Sequence, residues 1–533
     1  MNKLYLFLLS LLPTLASAYD AEIASIYYNL NRETNQAEVT YRSTSEKSYS
    51  GTVLIPSSVT YKKKTYAVTS IGENAFYNCT GLTCNLIIPN SVISIGENAF
   101  YGCRGLSNVS IGNSVTSIGE SAFYGCIAMD TVTIGNSVTS IGKNAFKDCK
   151  GMTSITIGNS VISIGESAFE GCVGLEGIII PNSVINIDKN AFKGCTGLKS
   201  VTMGNSVTSI NKNAFYGCTG MNSLTISDSV TSIGRSAFEG CSGLTSISIG
   251  KSVTSIDDNA FQNCSNLRLI TICSDDISYP AQGIIFEGCN KVEKIIYSDN
   301  CTNATCTGLG LTTVSEVSLP ETLRTIGNSA FFCFEKLKEI TIPNSVISIG
   351  GNAFMCCTGL TSITIPNSVT TIGRSAFMCC SGLTSIAIPN SVTSLGIYAF
   401  SGCKNVTSIT IGNSVSSICF GAFRECKMLT DMYCLAENVP STEDEVFDCS
   451  NITHATLHVP EASINKYKST APWNRFGNIV ALLPEDLTNE VKYVLAPKPE
   501  NDTPILYDLS GRRLEQKPTK GIYIQNGKKV LIK

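Results

Sequence analysis

Apolar and polar positions recur along this chain with one dominant period. Ala-Phe pairs place Phe100, Phe123, Phe146, Phe169, Phe192, Phe215, Phe238 and Phe261 in seven consecutive steps of 23 residues. A second series, Phe331, Phe354, Phe377, Phe400 and Phe423, steps by the same 23. Phe76, Phe286 and Phe447 are slightly out-of-step members. In the unit Leu175–Thr196 the apolar positions are Leu175, Ile178, Ile180, Val184, Ile187, Ala191, Phe192 and Cys195. Leu-x-x-Ile-x-Ile ends in alternation, the mark of a short strand with one face inward. Pro181, or Gly158 one unit earlier, ends that strand. Val-x-x-Ile then returns the chain across the back, and the segment up to Cys195 is a turn with room for one helical or 3₁₀ turn. A single unit cannot bury both sides of its strand. Stacked units can, and their strands then form one parallel sheet. The expected fold is a β-dominated α/β repeat solenoid of roughly 17 rungs, extending roughly 80 Å at about 4.8 Å per rung.

The phase also divides the chain. Residues 1–18 read as a signal peptide: Lys3, an apolar run from Leu4 to Leu12 too short to span a bilayer, and a small-residue site that leaves the cut between Ala18 and Tyr19. Residues 19–65 lack the repeat, and their alternating stretches Ile26–Leu30 and Ala37–Tyr41 predict a hairpin that caps the exposed end of the stack. The first array runs over 66–290 and the second, with its closing cap, over 314–484. Between them, 291–313 carries Cys301 and Cys306 but no Ala-Phe, and reads as a degenerate rung and loop. At the far end Leu457-His458-Val459-Pro460 repeats the strand-Pro signature, and Ser463–Lys468 with Trp473 predicts a short helical closure. A Pro-bearing linker follows over 485–504. The tail 505–533 holds Asn526-Gly527 between alternating stretches, a strong hairpin signal.

Composition narrows the chemistry. Charged residues are 15% of the 533 and the formal net charge is −3, so nothing points to nucleic acid. His454 and His458 are the two histidines, both near the closing cap. The array therefore lacks a base for a catalytic triad and ligands for a histidine metal site. An enzyme, a cofactor and a metal centre are not expected. No later apolar stretch is long enough to cross a membrane.

The 24 cysteines mostly mark the repeat. One column lies three residues after Phe, from Cys79 and Cys103 through Cys195 to Cys426. Side chains stacked in phase sit about 4.8 Å apart, beyond the roughly 3.5–4.5 Å between Cβ atoms that a disulfide needs, so buried thiols are expected. A second column, Cys333, Cys356 and Cys379, lies two residues after Phe. A bridge across rungs, a soft-metal site and a mere echo of duplication all stay open there, as does the redox state of Cys301 and Cys306.

The outward strand positions form a nearly uncharged face: Ser110, Thr133, Thr156, Thr202, Thr225, Ser248 and Thr271, then Thr341, Thr364, Thr410 and Tyr433. This is the candidate binding face. Its sameness from rung to rung favours weak repeated contacts that add by avidity. Strand propensity alone also suits threonine.

The pattern Cys-x-x-Leu-x-x-Ile-x-Ile-Pro-x-x-Val-x-x-Ile-Gly-x-x-Ala-Phe resembles the BspA-type, or Treponema-type, leucine-rich repeat over roughly 66–460. The resemblance implies a secreted or cell-surface protein of host-associated bacteria or protozoa, acting in adhesion and protein binding without catalytic residues. Leu506-Tyr507-Asp508-Leu509-Ser510-Gly511-Arg512, Lys520-Gly521-Ile522-Tyr523 and Asn526-Gly527-Lys528-Lys529-Val530 resemble a short form of the C-terminal sorting domain of type IX secretion. The expectation is an extracellular or outer-surface monomer that binds proteins of host or neighbouring cells through its sheet face. A glycan-binding accessory module and a purely structural spacer are the alternatives.

Overall fold

The computed structural model describes residues 19–43, 49–275, 277, 285–304, 311–443 and 445–483, with tail strands at 506–507, 513–514, 521–525 and 528–532. The chain is a β-solenoid of about 17 turns, about 23 residues apart, with parallel strands and little helix. It divides into two compact units, Met1–Pro343 with Asn352–Leu360, and Asn344–Gly351 with Thr361–Lys533.

In the first unit each repeat contributes two strands, so there are two parallel ladders where one was expected. The front ladder is built from Leu-x-x-Ile-x-Ile: Leu86–Ile88, Asn108–Ile111, Thr131–Thr133 and Ser154–Thr156 form one run. Gly177–Ile179 and Ser200–Thr202 pair next, and the run from Ser223–Thr225 to Glu316–Ser318 completes it. The flank ladder is built from two-residue strands, Ser94–Ile95, Ser117–Ile118 and their successors to Ser255–Ile256. Its register repeats the sequence phase, Ser117 against Ser140 and Ile118 against Ile141. The return segment thus pairs like the leading strand, because in-phase repetition offers every rung's N–H groups to the same carbonyls of its neighbour.

Between the ladders lies the core. Phe76, Phe100, Phe123, Phe146, Phe169, Phe192, Phe215, Phe238, Phe261 and Phe286 stack in one column with ring centroids 4.7–5.4 Å apart. Each buried ring contributes about 1.5–3 kcal/mol by leaving water. The turns that carry them are not helical. Residues two before Phe, such as Asn98 and Ser121, and two after it, such as Gly102 and Gly125, have φ between 52° and 68°. Two left-handed residues around each Phe stop a helix from propagating.

The rung at 291–313 keeps more order than its motif suggests. Lys294–Tyr297 pairs with Leu269–Ile272 on one side and Glu316–Ser318 on the other, so the front ladder runs through it. Asp275 fastens the rung by accepting from the Thr302 and Asn303 N–H groups at 2.6 and 2.9 Å. Cys306 lies outside the described residues.

The opening cap is the expected hairpin plus more. Ile26–Asn31 and Gln36–Thr40 pair antiparallel, with Ala21–Ile23 added outside. Gln36–Thr40 then lies parallel to Lys64–Ile71, which pairs with Ser94–Ile95, so the cap closes the flank ladder. Tyr27 and Tyr49 extend the ring column outward from Phe76. Tyr19, the expected mature N-terminus, packs its ring 4.6 Å from Tyr27; residues 1–18 lie outside the described residues.

The second unit repeats the plan. Its front ladder is Ser385–Ile388, Ser408–Ile411, Asp431–Cys434, Thr456–Val459 and Asn478–Ala481. Its closure is the helix Ile464–Ser469 with Trp473, whose Nε1 donates to the Pro440 carbonyl at 3.2 Å. The Tyr467 hydroxyl donates to the Ala436 carbonyl at 2.8 Å. In the tail, Gly521–Gln525 and Lys528–Ile532 form a hairpin in which Gln525 pairs with Lys528. Asn526-Gly527 lies between them, outside the described residues.

Candidate functional site

The front ladder fixes the direction of every side chain. Val109, Val132 and Ile155 point inward, so Ser110, Thr133 and Thr156 point out and are exposed, as are Thr202 and Thr225. Ser248 and Thr271 are half-buried, and Thr341 and Thr364 are exposed. Over the first rungs of the first unit these hydroxyls line a cleft of about 390 Å³ with Asn90, Asn113 and Asn136. Ile87 also borders it and is 59% exposed, while Ile179, in the same column one rung beyond Thr156, is 70% exposed. Three hydroxyl rungs thus lie between two apolar ones.

The polar groups of the cleft are held by neighbouring rungs. The Asn113 N–H donates to Asn90 Oδ1 at 2.7 Å, Asn136 N–H to Asn113 Oδ1 at 3.0 Å, and Asn159 N–H to Asn136 Oδ1 at 3.2 Å. Each amide orientation is set by this bond, which leaves its NH₂ donors directed to solvent. Beside them Asn108 Nδ2 donates to Asn85 Oδ1, and Thr131 Oγ1 to Asn108 Oδ1. Glycine at 112 and 135 keeps the floor low: a Cβ on Gly135 would lie 2.4 Å from the Gly112 carbonyl oxygen. This asparagine ladder was invisible in a reading that followed apolar positions. The repeated Asn-Ser after Pro or Gly was its signal.

In the second unit the same column is not open throughout. Thr410, expected on the face, is 1% exposed. Its neighbours in register are Ala387 and Tyr433, and Leu435 packs on both, closing over it. Tyr433 is itself half-buried, with its ring 4.4 Å from that of His458, whose Nε2 lies 3.2 Å from Asp431 Oδ1.

Rings and charges sit on the turn side instead. Tyr77, Tyr101 and Tyr124 stack with centroids 4.9 and 4.7 Å apart. Stacked on one another, they offer edges and hydroxyls rather than ring faces. The row continues as Lys147, Glu170 and Lys193, with Glu170 3.1 Å from Lys147 and 3.5 Å from Lys193. Burial raises the Glu170 carboxyl, but Ser167 and the two lysines outweigh it and hold it below its ordinary range.

Behind the face, the inner cysteine column has a task that sequence reading missed. Cys103 Sγ–H donates to the Phe76 carbonyl at 3.0 Å, Cys126 to Phe100 at 3.2 Å and Cys149 to Phe123 at 3.1 Å, and the pattern persists along the column. The same carbonyl also accepts the Cys N–H of its own turn, as Phe100 does from Cys103. Cys103, Cys126, Cys149 and Cys172 are buried free thiols, as the spacing argument required. Burial pushes the Cys149 thiol up to about 12. Where the column changes residue, chemistry is kept: Ser450 Oγ donates to the Phe423 carbonyl at 2.6 Å. Cys301 serves the motif-poor rung in the same way, donating to the Ile272 carbonyl at 3.2 Å.

The profile described as BspA type leucine rich repeat region (6 copies) matches residues 69–199, 185–307, 284–388, 309–430 and 370–471. The chain belongs to this leucine-rich repeat family. Among solved structures it is similar to a leucine-rich repeat protein from Bacteroides ovatus, with 25% identity over 80% of this chain and 99% of that one and a TM-score of 0.43. A leucine rich cell surface protein from Faecalibacterium prausnitzii shares 27% identity over 88% of this chain and 97% of its own, with a TM-score of 0.33. The T. pallidum leucine rich repeat protein shares 24% identity over 42% and 90%, with a TM-score of 0.33. None of the curated proteins matches. Among the described residues no helix is long and apolar enough to cross a membrane.

Proposed function

We propose that this protein is an exported, non-enzymatic adhesin or protein-binding scaffold that makes contact through the front face of its first unit. The observation that carries this reading is the cleft over Ser110, Thr133 and Thr156. It is concave, lined by uncharged hydrogen-bonding groups fixed by neighbouring rungs, and bounded by an exposed isoleucine. Pre-set polar groups beside an apolar contact keep the cost of ordering the surface low on binding. Repetition then lets weak contacts add along the ladder. The partners are surface proteins of host or neighbouring cells. The glycan reading is weaker because sugars bind well on open ring faces, and the tyrosines at 77, 101 and 124 stack on each other.

The test is a triple variant, Ser110→Arg, Thr133→Arg and Thr156→Arg, assayed on immobilised matrix proteins and mucins and in parallel on a glycan array. Loss of protein binding with an unchanged melting temperature supports the reading. Binding that survives moves the contact elsewhere, and signal on the glycan array alone replaces adhesion with the accessory-module reading. The tail hairpin serves export or surface attachment in this proposal. Deleting 505–533 should leave the melting temperature unchanged and trap the protein in the periplasm, whereas a lower melting temperature with normal location would make the tail a cap.

A further inference from the structure

Cys333 and Cys356 occupy the same place on successive rungs of the first unit, two residues after Phe331 and Phe354. Both are half-buried, and both hold left-handed backbone with φ of 60° and 62°. Elsewhere this column carries Gly102, Gly125, Gly171 and Gly194, or Asn78 and Asp148. Glycine enters that region without steric cost, and Asn and Asp enter it with local hydrogen bonds. Cysteine has neither advantage. A residue held in a costly conformation on two rungs in a row invites a functional explanation.

The two side chains are neighbours. The Cys333 N–H donates to the Met355 carbonyl at 2.9 Å, which sets the residues side by side. The Phe331 and Phe354 rings stand 5.1 Å apart and mark the local step between rungs. In the second unit, a Cβ built on Gly402 would lie 3.2 Å from Cys379 Sγ, so the sulfur in this column leans toward the same place on the next rung. Cys357 senses both thiols: burial pushes it up to about 12, and Cys333 and Cys356 add to the rise.

We propose that Cys333 and Cys356 form a two-thiolate site for a soft monovalent d¹⁰ cation, copper(I) being the type. The rung step exceeds the Cβ separation of about 3.5–4.5 Å that a disulfide needs. A linear sulfur–metal–sulfur unit with metal–sulfur bonds near 2.3 Å spans about 4.6 Å, close to one rung. Thiolates select soft cations. Among the described residues no group of three or more His, Cys, Asp or Glu side chains is placed to hold a metal, so a tetrahedral or octahedral ion does not fit. Binding releases the two thiol protons and takes up one cation, leaving a centre of net charge −1 with no electron transferred. The inner column does not compete, because its thiols are buried and donated to the Phe carbonyls.

The test uses the full chain, reduced and anaerobic. Silver(I) serves as a redox-inert probe, and copper(I) is competed against a chromophoric chelator. Cys333→Gly and Cys356→Gly place at each site the residue that neighbouring rungs already carry, so both should fold, as a melting curve will show. The expected result is one tightly bound equivalent with a sulfur-to-metal ultraviolet band, weakened at least about tenfold in either variant. Binding in Cys449→Gly, which removes an exposed thiol elsewhere, should be unchanged. Undiminished binding in Cys333→Gly or Cys356→Gly overturns the proposal. So does a 333–356 disulfide in the mass spectrum of the untreated protein.

Discussion

Thr133 and Thr410 hold the same place in their rungs, outward on the front strand and two residues before a Gly or Ile-Gly turn. Thr133 lies open in the cleft of the first unit, while Thr410 is buried under Leu435. Nothing in either rung's own sequence separates them: Thr131-Val132-Thr133-Ile134-Gly135 and Ser408-Ile409-Thr410-Ile411-Gly412 are near copies. The difference comes from the next segment. After Cys434 the chain leaves the repeat, and Leu435 settles on Ala387 and Tyr433 instead of continuing the turn. A repeat position states which way a side chain points, and the neighbour decides whether that side is a surface.

The comparison holds only if the interiors behind the two faces are equivalent. Phe192 stands 5.2 and 5.0 Å from its neighbouring rings, and Phe400 stands 5.0 and 5.8 Å from its own. Replacing either by Ala should cost about 3–5 kcal/mol. Hydrogen exchange should show the loosening centred on adjacent rungs, because each rung touches only its neighbours. Effects confined to one of the two variants would mean that the units differ inside as well as outside.

The faces themselves are contrasted by one substitution made twice. Thr410→Arg drives a charge into the contact beneath Leu435 and should cost about 3 kcal/mol in denaturant unfolding. Thr133→Arg should leave stability within about 0.5 kcal/mol and change only binding. Equal costs at both positions would show that Leu435 does not cover the second face in solution.

A smaller effect tests what both regions share behind the strand. Cys149→Ala leaves the Phe123 carbonyl without its sulfur donor and should cost about 1–3 kcal/mol. Cys149→Ser should recover most of it, as Ser450 does naturally against Phe423. Equal losses in both variants would make the column a matter of volume rather than hydrogen bonding.

The mildest perturbation is alkaline. The buried thiols of Cys149, Cys241 and Cys426 are pushed by burial from an ordinary value near 9 up to about 12. Their contribution is therefore fully present below about pH 9 and is lost as pH rises from there through 12, because the unfolded chain ionises first. The melting temperature should be level up to about pH 9 and fall above it, and the Cys149→Ser variant should fall less.

The sequence alone was enough for the period, the strand with Ile inward and Ser or Thr outward, the buried Phe and Cys columns, and the positions of both caps. These follow from a local rule: an apolar side chain repeated in phase must be buried by its own copy on the next rung, and 23 residues between copies leave one way to do it. The flank ladder and the left-handed turns escaped that rule because they are defined by main-chain groups, which every residue carries and no hydrophobic pattern marks. Cys333 and Cys356 could be aligned from the sequence, but their strained backbone came only from the folded turn. Whether Thr133 or Thr410 meets water was decided later still, by where Leu435 comes to rest, since burial depends on atoms far along the chain that share no phase with the repeat.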